Sequence, residues 1–299
     1  MNRAEPLSVV GAALRLGRVS NLPTVWTNVL AGAVLAGAPL SAGLLTMLAT
    51  AMSALYVGGM YLNDAFDAEW DRAHRPERPI PAGVVARSTV FTAGFGMLAF
   101  GVALVAALLV RGEVPSVAPV LAALLTAGLI VFYDLHHKNN ALSPLVMATT
   151  RVGVYATAGL CAARVDPAVW IAAGALLCHV IGLSYVAKHE TASRLLRLWP
   201  VGFLLVPLVY AAWLVLSADA PLAPGLLWVA YMAAGAVALT RVPGFGARPN
   251  PGVAIPLLIA NMSLLDGLFV AAAGHGAPAV LCAAAWVLTL LLQRKVPGT

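Results

Sequence analysis

The residues of this 299-residue chain that could do chemistry are concentrated in one short stretch, residues 63–79, which reads NDAFDAEWDRAHRPERP. Five of the twelve carboxylates of the chain lie there, together with three arginines. On an α-helix, Asp64, Asp67 and Asp71 fall within about 60° of one another, and Asn63 lies one turn before Asp67. Carboxylates this close repel each other, so the pattern indicates either a bound cation or side chains that splay into water.

Magnesium is the cation that this set of ligands suits. Hard oxygen ligands without nitrogen or sulfur favour Mg²⁺, which takes one or two carboxylates and completes its shell with water and phosphate oxygens. In RPERP, prolines stiffen a loop whose Arg75 and Arg78 could contact phosphate oxygens in a bidentate manner. The alternative is a solvated loop in which Glu69 and Glu77 pair with nearby arginines.

The elements that must position these residues are membrane-spanning helices. The chain is 61% hydrophobic and 10% charged, whereas a soluble domain has about 25% charged residues. The apolar runs are close to the ~20 residues that a helix needs to cross a bilayer, and they lack the alternation of a β-barrel strand. The predicted segments are 21–39, 42–62, 88–110, 115–133, 142–163, 168–187, 198–217, 222–240, 252–273 and 277–293.

The distribution of basic residues predicts the orientation in the membrane. If the amino terminus is cytoplasmic and all ten segments span, 15 of the 18 Lys and Arg residues lie on the inner side. Arg111 and Arg164 then lie outside, and Arg151 lies within a segment. The positive-inside rule therefore places the amino terminus and residues 63–79 in the cytoplasm. The same bias explains the net charge of +6 without a nucleic-acid partner and favours contact with anionic lipid headgroups.

Two adjacent motifs carry a family resemblance. NDAFDAEWD fits the pattern N-D-x-x-D-x-x-x-D, and RPERPIPAG follows directly. In these motifs the chain resembles the UbiA family of intramembrane prenyltransferases, and the resemblance extends to the helix number and to polar loops after the fourth and sixth spans. It implies one all-α transmembrane domain over residues 1–299, with nine to ten spans around a central cavity that opens to lipid. It also implies that four metal ligands hold a prenyl diphosphate through Mg²⁺, namely Asn63, Asp64, Asp67 and Asp71.

The implied reaction is transfer of the prenyl group to an aromatic or other small acceptor, with loss of diphosphate. The loop YDLHHK resembles the Y-D-x-x-x-K element of the family, which implies that Tyr133 and Asp134 are site residues and that Lys138 contacts the diphosphate. With Lys138, the resemblance makes Asp64 and Asp67 the predicted catalytic residues. The adjacent histidines of this loop, at 136 and 137, are interpreted as surface residues.

One loop departs from the family pattern. Where typical members carry a second aspartate-rich motif, near D-x-x-x-D, this chain reads LSYVAKHETASR at residues 183–194, with Glu190 and no aspartate. The departure counts against a second Mg²⁺ held in the usual way. Lys188 could neutralise a phosphate oxygen as a point charge, and Glu190 could bind metal or pair with Lys188. The alternative is an ordinary basic loop beside the membrane.

Several polar residues lie inside the predicted spans. Arg151 is about ten residues into the fifth span, where an ionisable side chain usually faces a cavity or the bundle interior. It is predicted to contact diphosphate or an anionic acceptor, or to pair with an acid such as Asp134. Asp266 lies within the ninth span, where a structural hydrogen bond is the favoured interpretation. Asn21 and Asn28 share a face of the first span and either line the pocket or join helices.

Three functional hypotheses follow. The first is a Mg²⁺-dependent prenyltransferase, which the first motif and Lys138 favour. The second is a non-catalytic family member that binds or carries a prenylated or aromatic compound, which the altered second motif favours. The third is an unrelated transporter with a coincidental acidic loop.

Overall fold

The computed structural model describes residues 8–38, 41–138, 140–162, 165–188, 199–219, 222–245 and 249–298. Within these ranges the chain is helical and contains no β-strand. Short 3₁₀ turns at Val19–Asn21 and Trp199–Leu204 precede the second and eighth helices. The α-helices are α1 Val9–Leu16, α2 Leu22–Leu35, α3 Ala42–His74, α4 Arg87–Val110, α5 Ala118–His136, α6 Ser143–Gly159, α7 Ala168–Lys188, α8 Leu205–Ser217, α9 Leu222–Leu239, α10 Pro251–Ala272 and α11 Gly276–Gln293.

Each of the ten predicted apolar segments corresponds to a helix. In the described part of the chain, 8 helical segments are long and apolar enough to cross a membrane. The other two predicted segments form the 14-residue α2 and the 17-residue α6, which are shorter than a typical span. The protein is therefore an all-α, multi-pass membrane protein, and the predicted number of nine to ten spans is approximate.

The centre of the bundle is formed by α2 and α10, which contact each other. Most side chains of both helices are buried, whereas α4, α5, α9 and α11 bury only one stripe each. The exposed sides of the outer helices remain apolar, as at Leu121 and Leu125 of α5. Such surfaces are unfavourable in water and match the hydrocarbon of a bilayer.

Close backbone contacts at glycines fix the helices that surround the site. A Cβ added at Gly32 of α2 would lie 2.8 Å from the backbone oxygen of Tyr155 in α6. A Cβ added at Gly58 of α3 would lie 2.8 Å from the backbone oxygen of Gly94 in α4. Small residues allow this approach because no side chain separates the two backbones.

Helix α3 extends well past the predicted end of its apolar segment. Its 33 residues run to His74, so residues 63–71 continue the second span as a helix, the conformation on which the common face of the aspartates depends. The polar end of α3 therefore stands directly on a membrane-spanning segment. This continuity gives the aspartates a rigid base.

We expect Gly32→Ala to lower the stability of the bundle, because the added methyl group would force α2 away from α6. Overpacking of this kind costs about 1–3 kcal/mol. Gly96→Ala in α4 is the matched control, since a Cβ there meets no atom within 4 Å among the described residues. Thermal unfolding of the two variants in the same detergent checks the expectation, and equal unfolding temperatures would contradict it.

Candidate active site

The aspartates at the end of α3 form a row, Asp64, Asp67 and Asp71, which we call the aspartate row. Asp64 and Asp71 are buried, and Asp67 is half-buried. All three share the helix face that the sequence predicts. Their carboxylates are balanced by basic side chains from other segments, and they do not splay into water.

Arg78 bridges the two ends of the aspartate row. The chain turns back after α3, with hydrogen bonds from the backbone N–H of Arg78 to the carbonyl of Arg75 and from that of Ala82 to the carbonyl of Arg78. This turn places Arg78 Nη1 3.2 Å from Asp64 Oδ1 and 3.1 Å from Asp71 Oδ2. The predicted contact of Arg78 with phosphate oxygens stays a prediction, and in this structure its guanidinium contacts carboxylates. Arg75 lies over the Trp70 ring, with Cζ 5.8 Å from the ring centroid.

Arg18 was not among the residues predicted from the sequence. It lies between α1 and α2 with a left-handed backbone, φ 42°, which is uncommon for a residue other than glycine. This conformation directs Arg18 Nη2 to Asp64 Oδ1 at 3.2 Å, while Nη1 lies 2.8 Å from Met60 Sδ. The signal in the sequence was an arginine next to a polar turn at the start of the first span, and its partner is 46 positions away.

The end of α5 supplies the partners of Asp67. Lys138 Nζ lies 2.7 Å from Asp67 Oδ1, and His137 Nε2 lies 3.3 Å from Asp67 Oδ2. Burial by itself lowers the pKa of His137, but the hydrogen bond to Asp67 and the negative charges of Asp67 and Asp134 raise it above its ordinary value. The interpretation of His137 as a surface residue was therefore wrong. In the sequence, the position of His137 next to Lys138 was the available indication that it belongs to the site.

Asn63 connects the aspartate row to α5. Asn63 Nδ2 donates to Asp134 Oδ1 at 3.1 Å. Two carboxylate oxygens of this region, Asp134 Oδ2 and Asp71 Oδ1, are buried and have no hydrogen-bond partner among the described residues. Buried acceptors without a donor are costly, so both oxygens are suited to a bound cation or water.

A cavity lies beneath the row, between α2, α3, α5 and α6. Its empty volume is about 580 Å³, including the part open at its mouth. Asp134 and Tyr133 line the cavity, and so does Met60, which contacts Arg18. The rest of the wall is largely apolar, formed by residues that include Val25, Met52, Leu55, Ile130, Met147 and Val154.

Arg151 lines the same cavity and joins a buried polar network. Arg151 Nη1 donates to Asn28 Oδ1 at 3.2 Å, and Asn28 Nδ2 donates to Asp266 Oδ2 at 2.7 Å. The hydroxyl of Tyr155 donates to the other oxygen of Asp266. The structure thus identifies the partner of Asp266 and connects α2, α6 and α10 through polar side chains. Tyr56 lies beside the guanidinium, with Arg151 Cζ 5.2 Å from the ring centroid.

Two predicted residues, Asn21 and Lys188, lie away from the aspartate row. Asn21 donates to Tyr56 Oη at 3.2 Å and to the carbonyl of Gly298 at 2.9 Å, so it joins α2 to the end of the chain. Lys188 Nζ donates to the carbonyl of Asn140 at 2.6 Å and to Ser143 Oγ at 3.2 Å, which ties α7 to the loop before α6. Glu190 lies outside the described residues.

The fit of Mg²⁺ to this site rests on the chemistry of the donors. The Asn63 amide of α3 contacts the Asp134 carboxylate of α5, and one carboxylate oxygen each of Asp71 and Asp134 is buried without a partner among the described residues. Among the described residues, however, no three His, Cys, Asp or Glu side chains are arranged to hold a metal ion. The basic side chains occupy the positions next to the carboxylates. The donors suit the ion, and binding would require Asp67 or Asp64 to exchange a basic partner for it.

We expect Arg78→Met to destabilise the protein, because it leaves the buried Asp64 and Asp71 without their shared counterion. Removing one partner of a buried ion pair costs about 3–5 kcal/mol. Arg72→Met is the matched control, since the Arg72–Glu69 pair is exposed and such pairs contribute about 0–1 kcal/mol. Unfolding of both variants in detergent provides the measurement. Equal losses would show that Arg78 is no more important than a surface arginine.

The chain is similar in sequence to known proteins over part of its length. No protein-family model matches the chain. Digeranylgeranylglyceryl phosphate synthase of Methanopyrus kandleri is 32% identical over 172 residues, which are 57% of this chain and 60% of that protein. The match thus spans less than two thirds of the length of this relative.

Solved structures extend the likeness over nearly the whole chain. A UbiA homologue from Archaeoglobus fulgidus, solved with GPP and Mg²⁺, aligns with a TM-score of 0.61 at 16% identity, over 89% of this chain and 99% of that one. A UbiA homologue from Aeropyrum pernix K1 aligns with a TM-score of 0.50 at 16% identity, over 93% and 97%. The expected fold is therefore confirmed, because the chain shares the fold of UbiA homologues over nearly all of its length. Its sequence is similar to a digeranylgeranylglyceryl phosphate synthase over part of that length.

Proposed function

We propose that this protein is an integral membrane prenyltransferase of the UbiA family. It transfers the prenyl group of an allylic prenyl diphosphate to an aromatic or other small acceptor and releases diphosphate. The observation that carries the proposal is the position of the aspartate row and its basic partners at the mouth of an apolar cavity. A prenyl diphosphate has the same two-part character, a strongly anionic head and an apolar tail.

The relatives of this chain support the same reaction class. A curated relative is a digeranylgeranylglyceryl phosphate synthase, and a structural neighbour of the same fold was solved with GPP and Mg²⁺. The part of the chain that matches the synthase includes less than two thirds of that protein. The activity of this chain is therefore proposed from the arrangement of its own side chains.

The diphosphate is held by basic side chains at the mouth of the cavity. Arg78 and Lys138 contact the aspartate row, and Arg75 lies beside Trp70 next to Lys138. Lys188 on α7 is the fourth predicted cation, and its described partners are neutral oxygens. Guanidinium and ammonium groups stabilise the negative charge that develops on the leaving group.

Asn63, Asp64, Asp67 and Asp71 would hold Mg²⁺, and Asp134 lies within hydrogen-bond reach of Asn63. When bound, the ion would neutralise phosphate oxygens as a Lewis acid and so favour departure of diphosphate. Lys138 and His137, which contact Asp67 in this structure, are then free to meet anionic oxygens of the substrate. The carboxylates thus hold the metal ion and the basic side chains, and these groups in turn bind the diphosphate.

The cavity holds the apolar tail and excludes water. Its wall is mostly aliphatic side chains and methionines, with Tyr56 and Tyr133 as aromatic members. An allylic group that loses diphosphate is electron-poor and reacts readily with water, so exclusion of water protects it until the acceptor attacks. Tyrosine rings can stabilise such a centre through their π faces.

The site faces the cytoplasm in this proposal. The aspartate row, the end of α5 and Lys188 lie at the same end of the bundle, since side chains of these segments contact one another or a shared loop. Most Lys and Arg residues belong to this end by the topology that the sequence predicts. The positive-inside rule then assigns it to the cytoplasm.

The central test is diphosphate release from geranyl diphosphate by purified protein in detergent. We expect Asp67→Asn to reduce release about hundredfold or more, because a ligand of the cation is lost, and chelation of Mg²⁺ to do the same to the wild-type protein. Glu69→Gln is the matched control, since Glu69 lies in the same motif but pairs at the surface with Arg72 and Arg87. Assays with and without candidate acceptors provide the measurement.

The result also separates the alternatives. Tight binding of geranyl diphosphate without release, in wild type and variants alike, would favour the carrier hypothesis. Release that is insensitive to Asp67 and to Mg²⁺ would contradict the proposed site.

Orientation is tested with single cysteines in a background that lacks Cys161, Cys178 and Cys282. We expect Glu77→Cys, in the exposed loop after α3, to react with a membrane-impermeant maleimide only after cells are permeabilised. Ser116→Cys, in the exposed loop between α4 and α5, should react in intact cells. The opposite labelling pattern would reverse the proposed orientation.

A further inference from the structure

Trp70 brings basic side chains together next to the aspartate row. It lies three residues after Asp67, so the two side chains are neighbours on the surface of α3. Lys138 Nζ lies 5.4 Å from the centroid of the Trp70 ring, and Arg75 Cζ lies 5.8 Å from it. Both distances are within the range of cation–π attraction, in which the negative face of a ring attracts a cation. One aromatic ring thus contacts two of the four basic side chains that are proposed to hold the diphosphate.

The orientation of the Trp70 ring is fixed by His74, one turn further along α3. The two rings are stacked, with centroids 4.1 Å apart and planes 7° apart, and His74 Nδ1 lies 2.9 Å from the carbonyl oxygen of Trp70. Trp70 is 42% exposed and belongs to none of the buried apolar clusters among the described residues. Core packing therefore does not account for its position, whereas the contacts with basic side chains do.

Lys138 depends on such a contact because of its place in the chain. It follows the end of α5, and its side chain is 43% exposed. A lysine in this setting has many rotamers, and its ammonium group is held by an ion pair with Asp67 at 2.7 Å. When Asp67 turns to a bound cation, that ion pair is lost, but the contact with the Trp70 ring remains. The ring therefore keeps the ammonium group at the site while the carboxylate changes partner.

An aromatic ring suits this role better than a further carboxylate. A carboxylate in place of Trp70 would also hold both basic groups, but it would compete for the metal ion and repel the diphosphate. The face of an indole ring attracts cations through its quadrupole and carries no net charge. Lys138 and Arg75 thus keep their full charge for an anionic ligand.

We propose that Trp70 is a positioning residue, whose ring holds Lys138 and Arg75 beside the aspartate row so that both meet an arriving diphosphate. The inference rests on the proposed prenyl transfer and adds to it a residue that acts through its ring face. It follows that weakening the negative face of the ring, at unchanged shape, releases Lys138 and lowers the affinity for the diphosphate.

The first test needs no substrate. The sequence contains three lysines, Lys138, Lys188 and Lys295, and all three are exposed. Mass spectrometry on the whole protein in nanodiscs can therefore follow how fast an amine-reactive reagent modifies each of them. Tryptophan analogues that carry one to four ring fluorines at position 70 weaken the attraction for cations with little change in size. We expect Lys138 to be modified faster with each added fluorine, while the rates at Lys188 and Lys295 stay constant.

The second test measures the binding of geranyl S-thiolodiphosphate by calorimetry in the presence of Mg²⁺. Because two cation–π contacts are lost, we expect Trp70→Leu to lower the affinity about fivefold to thirtyfold, and Trp70→Phe, which keeps a ring, to lower it less. In a Lys138→Met background, Trp70→Leu should have a smaller effect, since one of the cations on which the ring acts is gone. Trp199→Leu, which removes another exposed tryptophan, is the matched control and should bind like the wild type.

Two results would overturn the inference. One is a modification rate at Lys138 that does not respond to fluorination of Trp70. The other is an equal loss of affinity from Trp70→Leu with and without Lys138. Failure of the proposed function gives a different pattern, namely a wild-type protein that binds no thiolodiphosphate although its Lys138 reactivity follows the fluorine series. That pattern would contradict prenyl transfer and still confirm that Trp70 holds Lys138.

Discussion

The structure of the site depends on the charge balance of the aspartate row. Asp64, Asp67 and Asp71 stand on one face of a rigid helix, where their mutual repulsion would otherwise oppose folding. Basic side chains from the turn before α2, the loop after α3 and the end of α5 neutralise them. The row thereby fastens these segments together at the mouth of the cavity. A cation or an anion that binds there exchanges with contacts that already hold the fold.

The second constraint is the junction between charge and hydrocarbon. Arg18 links Asp64 of the row to Met60 in the cavity wall, and Asn63, next to the row, contacts Asp134 in the same wall. A ligand that fills both regions must be amphiphilic, with its charge at the membrane surface. This arrangement explains why the strongly polar part of the chain stands on a 33-residue helix, since a loop would place the carboxylates less firmly above the cavity.

Within the bundle, polar side chains connect helices that are far apart in sequence. One polar network joins α2, α6 and α10 through Asn28, Arg151, Tyr155 and Asp266. Close packing at Gly32 brings the backbones of α2 and α6 together near this network. Such contacts are favourable in a membrane because the alternative is an unsatisfied polar group in hydrocarbon. The network thus fixes one wall of the cavity, and Arg151 is the guanidinium that this wall presents among the described lining residues.

The sequence by itself determined the membrane class, the ten helical segments and, for a helical conformation, the common face of the aspartates. Hydropathy and helical periodicity are local properties, so they can be read along the chain. Only the tertiary structure decided that Arg18 and His137 contact the row, that Asp266 contacts Asn28 and Tyr155, and that Lys188 binds the loop before α6. These pairs join segments whose distance depends on how helices pack, and packing is set by the shapes of all their neighbours.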